Sequence, residues 1–209
     1  EYVFLNPSGG GIALLTTTRL AYASYNEYLN NSFYDKAFDK SSGRYLTLGE
    51  LIAHCKTDNG SVSYLRNFML MGDPALTMTI PENQVITTEI NGVSVSGFND
   101  TISALKHVTI KGYVADPFGA KMTDFNGTLY PTVYDKATEL ETLANNPVEN
   151  YVAPFMLQKS IIYKGKASII NGDFSFSFIV PKDIQYTFGN GKISYYAENG
   201  SIDATGWYE

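Results

Sequence analysis

Residues 174–178 read Phe-Ser-Phe-Ser-Phe, a regular alternation of apolar and polar side chains. Side chains of a β-strand point alternately to its two faces, so this period predicts a strand with one buried and one solvent-exposed face. The same period recurs at residues 108–114 and 129–133. The sequence therefore predicts a β-domain whose core includes the apolar members of these runs: Val108, Ile110, Val114, Leu129, Val133, Phe174, Phe176 and Phe178.

Asn-Gly pairs indicate the turns of this β-region. This dipeptide favours the two positive-φ positions of a tight hairpin. The pairs fall at residues 91–92, 126–127, 171–172, 190–191 and 199–200. Residues 84–209 are therefore predicted to form an immunoglobulin-like β-sandwich of roughly seven strands. Residues 135–152 are expected to form a long surface loop, and residues 81–84 the junction with the preceding region.

Residues 1–80 show the pattern of an α/β region. The run Gly11–Leu15 follows a glycine-rich turn and predicts a strand buried on both faces. A second buried strand is predicted from Ala75 to Ile80. Two strands and three helices are too few to form a parallel sheet that is buried on both faces. The rest of that sheet is therefore expected from residues outside this chain or from a partner.

Three helices are predicted in the same region. Two begin at capping boxes, in which a hydroxyl and a carboxylate bond each other's backbone N–H groups. These boxes are Ser24–Glu27 and Thr47–Glu50, and the second helix runs through Cys55. A third helix is predicted from Ser61 to Met71, ending at Gly72.

Composition excludes several functional classes. A net charge of −6 without a basic stripe argues against nucleic acid as a partner. A single cysteine excludes an internal disulfide framework. No apolar run approaches the roughly 20 residues that cross a bilayer. Because the chain opens without Met or a signal peptide, we expect a piece of a longer protein.

The only cysteine is a candidate nucleophile, and His54 precedes it. Adjacent helical residues point about 100° apart, so His54 and Cys55 cannot act as base and nucleophile together. Cys55 shares a helical face with Leu51 and is predicted to be a structural core residue. His107 has no recognisable partner. The sequence predicts no catalytic residue, metal site or cofactor within this chain.

Polar residues follow the first predicted strand. In open parallel sheets, ligands bind where strands end at their carboxyl edge. The residues at that position are Thr16, Thr17, Thr18, Arg19 and Tyr22. They are candidate substrate-pocket residues. The alternative is a polar loop without a binding role, in which Arg19 has its own hydrogen-bond partners.

Residues 8–19, with an aromatic-rich helix and residues 68–76, resemble the end of the gingipain-family cysteine peptidase domain. The resemblance implies a caspase-like α/β fold with a His general base and a Cys nucleophile, both upstream of Glu1. Cys55 matches neither position. The family's pocket-wall aromatic has its nearest counterpart in Tyr22.

Within that family the chain is similar to the cell-surface sortases of type IX secretion in Bacteroidetes. This implies a secreted parent at the outer membrane, whose thiol cleaves C-terminal signal domains from cargo proteins. Lacking nucleophile and base, the chain is expected to be inactive alone. Its expected partners are the upstream part of the peptidase domain, protein substrates in the parent, and a second copy through the open sheet edge. The alternative is a cell-surface module, without enzymatic role, that binds protein or glycan through the sandwich.

Overall fold

The computed structural model describes residues 6, 8–57, 63–97, 101–145, 151–185 and 188–209. Over these residues the structure is rich in β-strand, with thirteen strands and two α-helices. None of the helices described is long and apolar enough to cross a membrane. The chain divides into two compact units, residues 1–80 and 81–209.

The first unit holds both α-helices. Its elements are β1 (Leu14–Thr17), α1 (Ala23–Ala37), α2 (Leu48–Thr57), a 3-10 helix (Ser63–Asn67) and β2 (Phe68–Met71). β1 and β2 pair antiparallel, with Leu14 opposite Met71. The helices bury two small apolar clusters: Leu29, Cys55, Leu65 and Phe68 in one, and Ala37, Leu48 and Leu51 in the other.

The strands of this unit differ from the predicted ones. β1 lies at residues 14–17 and not 11–15, and Leu14 is exposed where burial on both faces was expected. The described residues of this unit contain one antiparallel strand pair and no parallel one. Residues 75–80 form no strand. The Leu76 carbonyl instead accepts the Leu48 N–H at 2.8 Å, because the first turn of α2 needs an acceptor.

The predicted third helix, residues 61–71, is also wrong. Its first two residues lie outside the described part of the chain, and the remainder is the 3-10 helix followed by β2. Phe68 is buried and Met69 exposed, so the run alternates with period two. Leu65 and Met69 also satisfy a helical period, and so short a run is ambiguous. Pairing with β1 decides the outcome.

The two predicted capping boxes have different outcomes. At α2, the Thr47 N–H donates to the Glu50 carboxylate at 2.9 Å and the Glu50 N–H donates to Thr47 Oγ1 at 3.2 Å. This box is confirmed. At α1 the N-cap is Tyr22, which makes no side-chain capping bond, so the box at Ser24–Glu27 is wrong. Ser24 already lies inside the first turn.

The second unit contains a barrel-like sheet. Its strands are β3 (Asn83–Ile90), β4 (Val93–Ser94), β5 (His107–Ala115), β6 (Gly127–Tyr134), β7 (Thr138–Glu141), β8 (Pro154–Leu157), β9 (Ile161–Lys164), β10 (Ala167–Ile170), β11 (Asp173–Ile179), β12 (Lys192–Glu198) and β13 (Asp203–Tyr208). They pair in the order β10-β11-β5-β3-β13-β12-β6, and β6 also pairs with β10, which closes the path. β4 extends from β3, and β9 lies beside β6. Where the sequence predicts two stacked sheets, the described pairing is continuous.

The last strand of this unit returns to the first. Ala204 lies opposite Asn83 and Thr205 opposite Gln84, and this is the one parallel pair among the described strands. The Asn83 side-chain amide also donates to the Asp203 carbonyl at 2.9 Å. The barrel-like path is therefore completed by a short pairing between distant parts of the chain.

The predicted core is confirmed. All eight residues are buried within one apolar cluster: Val108, Ile110, Val114, Leu129, Val133, Phe174, Phe176 and Phe178. The Tyr163 ring stacks on two of them, with its centroid 4.8 Å from that of Phe178 and 5.7 Å from that of Phe176. Along β11 the phenylalanines are buried and the residues between them exposed, as the period of two predicts.

The Asn-Gly turns are confirmed in part. Asn91 and Gly92 have φ of 53° and 81°, and the pair at 171–172 has 52° and 81°. Each forms the two-residue loop of a hairpin. The pair at 199–200 lies in the longer loop between β12 and β13. Asn126 precedes β6 and Gly127 is the first residue of that strand, while the pair at 190–191 precedes β12, so the hairpin prediction is wrong for both pairs.

The predicted surface loop at residues 135–152 contains structure. β7 pairs with β8 as a separate two-stranded sheet, with Glu141 opposite Pro154. Glu139 therefore lies on a strand, where a loop was expected. Glutamate and proline are disfavoured in strands, so the sequence of this region did not predict the β7–β8 pair. Residues 146–150 lie outside the described residues.

Candidate functional site

The loop of residues 18–22 follows β1 and leads into α1. Both the N–H and the hydroxyl of Thr18 donate to the Asn67 carbonyl, at 2.9 and 3.2 Å. Asn67 ends the 3-10 helix immediately before β2. The start of the loop is thus fixed to the neighbouring strand.

The preceding threonines also shape this loop. Thr17 Oγ1 donates to the Arg19 carbonyl at 2.8 Å and accepts the Arg19 N–H at 3.4 Å. Thr16 lies within β1, half-buried and opposite Met69. Among the predicted pocket residues, the hydroxyls of Thr17 and Thr18 are therefore bonded to backbone. They hold the loop in shape.

Arg19 and Tyr22 are the exposed members of the predicted pocket set whose side chains are not used to hold the loop. Arg19 is exposed, and Tyr22 is 63% exposed. The Tyr22 ring meets that of Tyr25 edge-on at 6.0 Å, and its carbonyl accepts the Tyr25 N–H at 3.1 Å. Leu20 between them is 100% exposed, and sequence reasoning missed it. The sequence could have indicated Leu20, because it is an apolar residue next to Arg19 that belongs to no periodic apolar run.

Arg44 and Glu50 form the main described ion pair of this unit. The two guanidinium NH2 groups donate to the two carboxylate oxygens at 2.8 and 2.6 Å. The Arg44 hydrogen bonds, together with the Thr47 N–H, lower the pKa of Glu50 to about 2. The pair fixes the start of α2, where a negative charge also suits the helix dipole.

Cys55 is a core residue, as predicted. Its side chain is fully buried with Leu29, Leu65 and Phe68, whereas His54 is exposed. A thiol sealed in an apolar cluster is protected from substrate and from solvent. Over the ranges described, no group of three or more His, Cys, Asp or Glu side chains is placed to hold a metal ion.

The second unit contains a cavity of about 830 Å³ with an apolar wall. Ile90, Val133 and Phe178 contribute to that wall, beside the carboxylate of Asp135. Burial acts to raise the pKa of Asp135. Hydrogen bonds from Lys136 at 2.8 Å and from the Gln185 N–H at 2.9 Å outweigh it, so the pKa is lowered. Both carboxylate oxygens are thus paired.

Comparison with known proteins supports the family resemblance. Residues 1–79 match the model for peptidase family C25. The chain is similar to dimeric latent PorU from Porphyromonas gingivalis, with 33% sequence identity and a TM-score of 0.52. This match covers 93% of the chain and 19% of PorU, so the chain spans about a fifth of PorU's length.

A sporulation control protein, Spo0M from Bacillus subtilis, is a much weaker match. It has 17% identity and a TM-score of 0.33, over 62% of this chain and 48% of that one, which carries no argument about fold. No curated protein matches the chain.

Proposed function

We propose that the chain, whose residues 1–79 match the model for peptidase family C25, is a fragment of a secreted, cell-surface cysteine peptidase. The parent acts as a type IX secretion sortase. The first unit is the C-terminal part of its caspase-like domain, and the second is a β-rich spacer domain. The observation that carries the proposal is the similarity to PorU across 93% of the chain, which includes both units.

The loop after β1 forms part of the substrate-pocket wall in this proposal. Its support is a fixed backbone bearing exposed side chains. Thr17 and Thr18 hold the loop by hydrogen bonds, while Arg19 and Tyr22 face solvent. A guanidinium can bind a carboxylate or carbonyl of a peptide, and a phenol ring can pack against its side chains. Because the loop is already ordered, binding costs little conformational entropy.

The nucleophile and the base are proposed to lie in parts of the parent outside this chain. Cys55 is buried among apolar side chains and suits neither role. In the parent, a thiolate attacks the carbonyl that precedes the C-terminal signal domain and releases that domain as the amine. The resulting thioester then passes its acyl group to water or to a lipopolysaccharide amine, and the thiol is regenerated.

The partners follow from the same proposal. The first unit pairs with the upstream part of the peptidase domain, and the parent takes secreted cargo proteins as substrates. The solved relative is described as a dimer in a latent state, which supports self-association. We assign self-association to the open edge of the β1–β2 pair, because unpaired strand edges readily add a further strand.

The pocket assignment is tested in the full-length parent. We expect Tyr22→Ala to raise KM for a C-terminal signal peptide about threefold or more, as loss of one aromatic contact does. Phe118→Ala is the matched control, since Phe118 is 94% exposed and lies in the second unit. Unchanged KM and kcat in Tyr22→Ala and in Arg19→Ala would remove the loop from the pocket wall.

A further inference from the structure

The outer face of β6, β12 and β13 carries a regular array of side chains, which we call the aromatic face. The strand register arranges nine residues in three cross-strand rows: Thr132, Ser194 and Trp207; Tyr130, Tyr196 and Thr205; Thr128, Glu198 and Asp203. All nine are at least partly exposed. Residues between them, such as Ile193 and Ala197, point into the core.

Two tyrosines at the centre of this face are held in place. The Tyr130 hydroxyl donates to Glu198 at 3.1 Å, and the Tyr196 hydroxyl donates to Asp203 at 3.3 Å. Their ring centroids lie 6.1 Å apart. The Lys166 ammonium lies 5.1 Å from the centre of the Tyr130 ring. These contacts fix the rings before any ligand binds, which lowers the entropy cost of binding.

The face also exposes aromatic surface. Trp207 is 67% exposed and Tyr196 is 44% exposed. Trp207 lies opposite Ser194, two residues along β12 from Tyr196. None of the nine positions carries an aliphatic side chain; three are aromatic, four carry hydroxyls and two are carboxylates. The face therefore combines exposed aromatic rings with hydroxyl and carboxylate groups that can form hydrogen bonds.

The chemistry of the face matches a pyranose ring. A sugar presents apolar C–H groups on the face of its ring, which pack on aromatic rings. Its hydroxyls lie at the rim, where carboxylates and hydroxyls exchange hydrogen bonds with them. Three strands and three rows cover about 10 Å by 13 Å, the extent of two or three linked sugar rings.

The charges on the face select the kind of sugar. Lys166 carries the positive charge beside Tyr130, while Glu198 and Asp203 carry negative charges. Charges of both signs compensate locally, and the second unit contains five more acidic than basic residues (14 against 9). The face therefore offers no single-sign field to attract a polyanion.

We propose that the aromatic face binds a neutral hexopyranose oligosaccharide. The proposal concerns only the second unit and is independent of the peptidase assignment. Trp207 and Tyr196 stack on sugar rings, and Glu198 and Asp203 accept hydrogen bonds from sugar hydroxyls.

The chain contains a single tryptophan, so Trp207 fluorescence reports on this face directly. The 209-residue protein is titrated with maltohexaose, cellohexaose and mannohexaose, with dextran sulfate as the polyanion. We expect a saturable change in Trp207 fluorescence with at least one neutral oligosaccharide. If no neutral oligosaccharide produces it, or dextran sulfate alone does, the proposal is wrong.

Calorimetry then assigns the binding to side chains. We expect Tyr196→Ala and Trp207→Ala each to weaken binding about threefold or more, as the loss of one aromatic contact does. Phe118→Ala, which removes an equally exposed ring on another part of the unit, should leave affinity unchanged. Equal melting temperatures establish that the variants are folded. Wild-type affinity in both face variants would overturn the proposal.

Discussion

The hydroxyl groups of Thr87 and Tyr195 share a hydrogen bond of 2.7 Å inside the second unit. Tyr195 is 2% exposed and Thr87 is 7% exposed, so water cannot replace either partner. Burial raises the pKa of Tyr195, which keeps the phenol neutral and able to donate. Thr87 on β3 and Tyr195 on β12 thus form a buried polar contact in which each hydroxyl needs the other as its hydrogen-bond partner.

Thr87→Val should destabilise the second unit by about 1–3 kcal/mol, because it leaves the Tyr195 hydroxyl buried without a partner. Adding Tyr195→Phe removes that hydroxyl and should recover much of the loss. Chemical denaturation of the two single variants and the double variant measures the coupling. Strictly additive losses would show that the two hydroxyls act independently.

Phe176→Ala should cost about 3–5 kcal/mol, since it removes a buried ring and leaves a cavity. Ile179→Ala lies three residues along β11 and is the matched control, because Ile179 is 65% exposed. A fragment of residues 81–209 is the right background, since Asn83 pairs with Ala204. We expect this fragment to unfold cooperatively on heating. A neutral Phe176→Ala would contradict the buried position of the ring.

Glu50 should give the first unit a dependence on acid pH. Its folded pKa of about 2 lies below the ordinary value of 4.5. A carboxylate with a lowered folded pKa stabilises fully above pH 4.5, and the effect is lost as the pH falls towards 2. Thermal unfolding followed by circular dichroism at 222 nm, where the two α-helices give their signal, should show this loss of stability. Glu50→Gln should flatten it, and Glu27→Gln should not.

Cys55 should be chemically silent in the folded chain. Its side chain is fully buried, so we expect its reaction with a thiol reagent to follow unfolding. The 209-residue chain should cleave Arg- and Lys-containing fluorogenic peptides only at background, and Cys55→Ser should change nothing. Hydrolysis abolished by Cys55→Ser would disprove the structural role of this cysteine.

The sequence predicts best where one local pattern has a single physical outcome. Alternation at residues 174–178 identifies a half-buried strand, because no other element exposes every second residue. The Thr47–Glu50 box also predicts correctly, since its two hydrogen bonds depend only on residues three apart. At residues 91–92 the Asn-Gly pair joins strands that already oppose each other.

Prediction fails where the outcome depends on distant residues. Phe68–Met71 becomes a strand because β1 pairs with it, and β1 lies more than fifty residues earlier. Asn126-Gly127 has the residues of a hairpin turn, yet the next strand in space is not its neighbour in sequence. The pocket assignment of the loop after β1 stays a prediction, and the backbone bonds of Thr17 and Thr18 depend on the fold around them.

The pairing of Asn83 with Ala204 has a consequence for the order of folding. β3 is the first strand of the second unit to be synthesised, and its partner β13 is the last. Contacts so far apart in sequence form late, because a long loop must close before they contribute. A chain that stops before Asp203 leaves edges of β3 and β12 open to other strands. Nascent chains of this protein therefore remain prone to aggregation until residues 203–208 have been made.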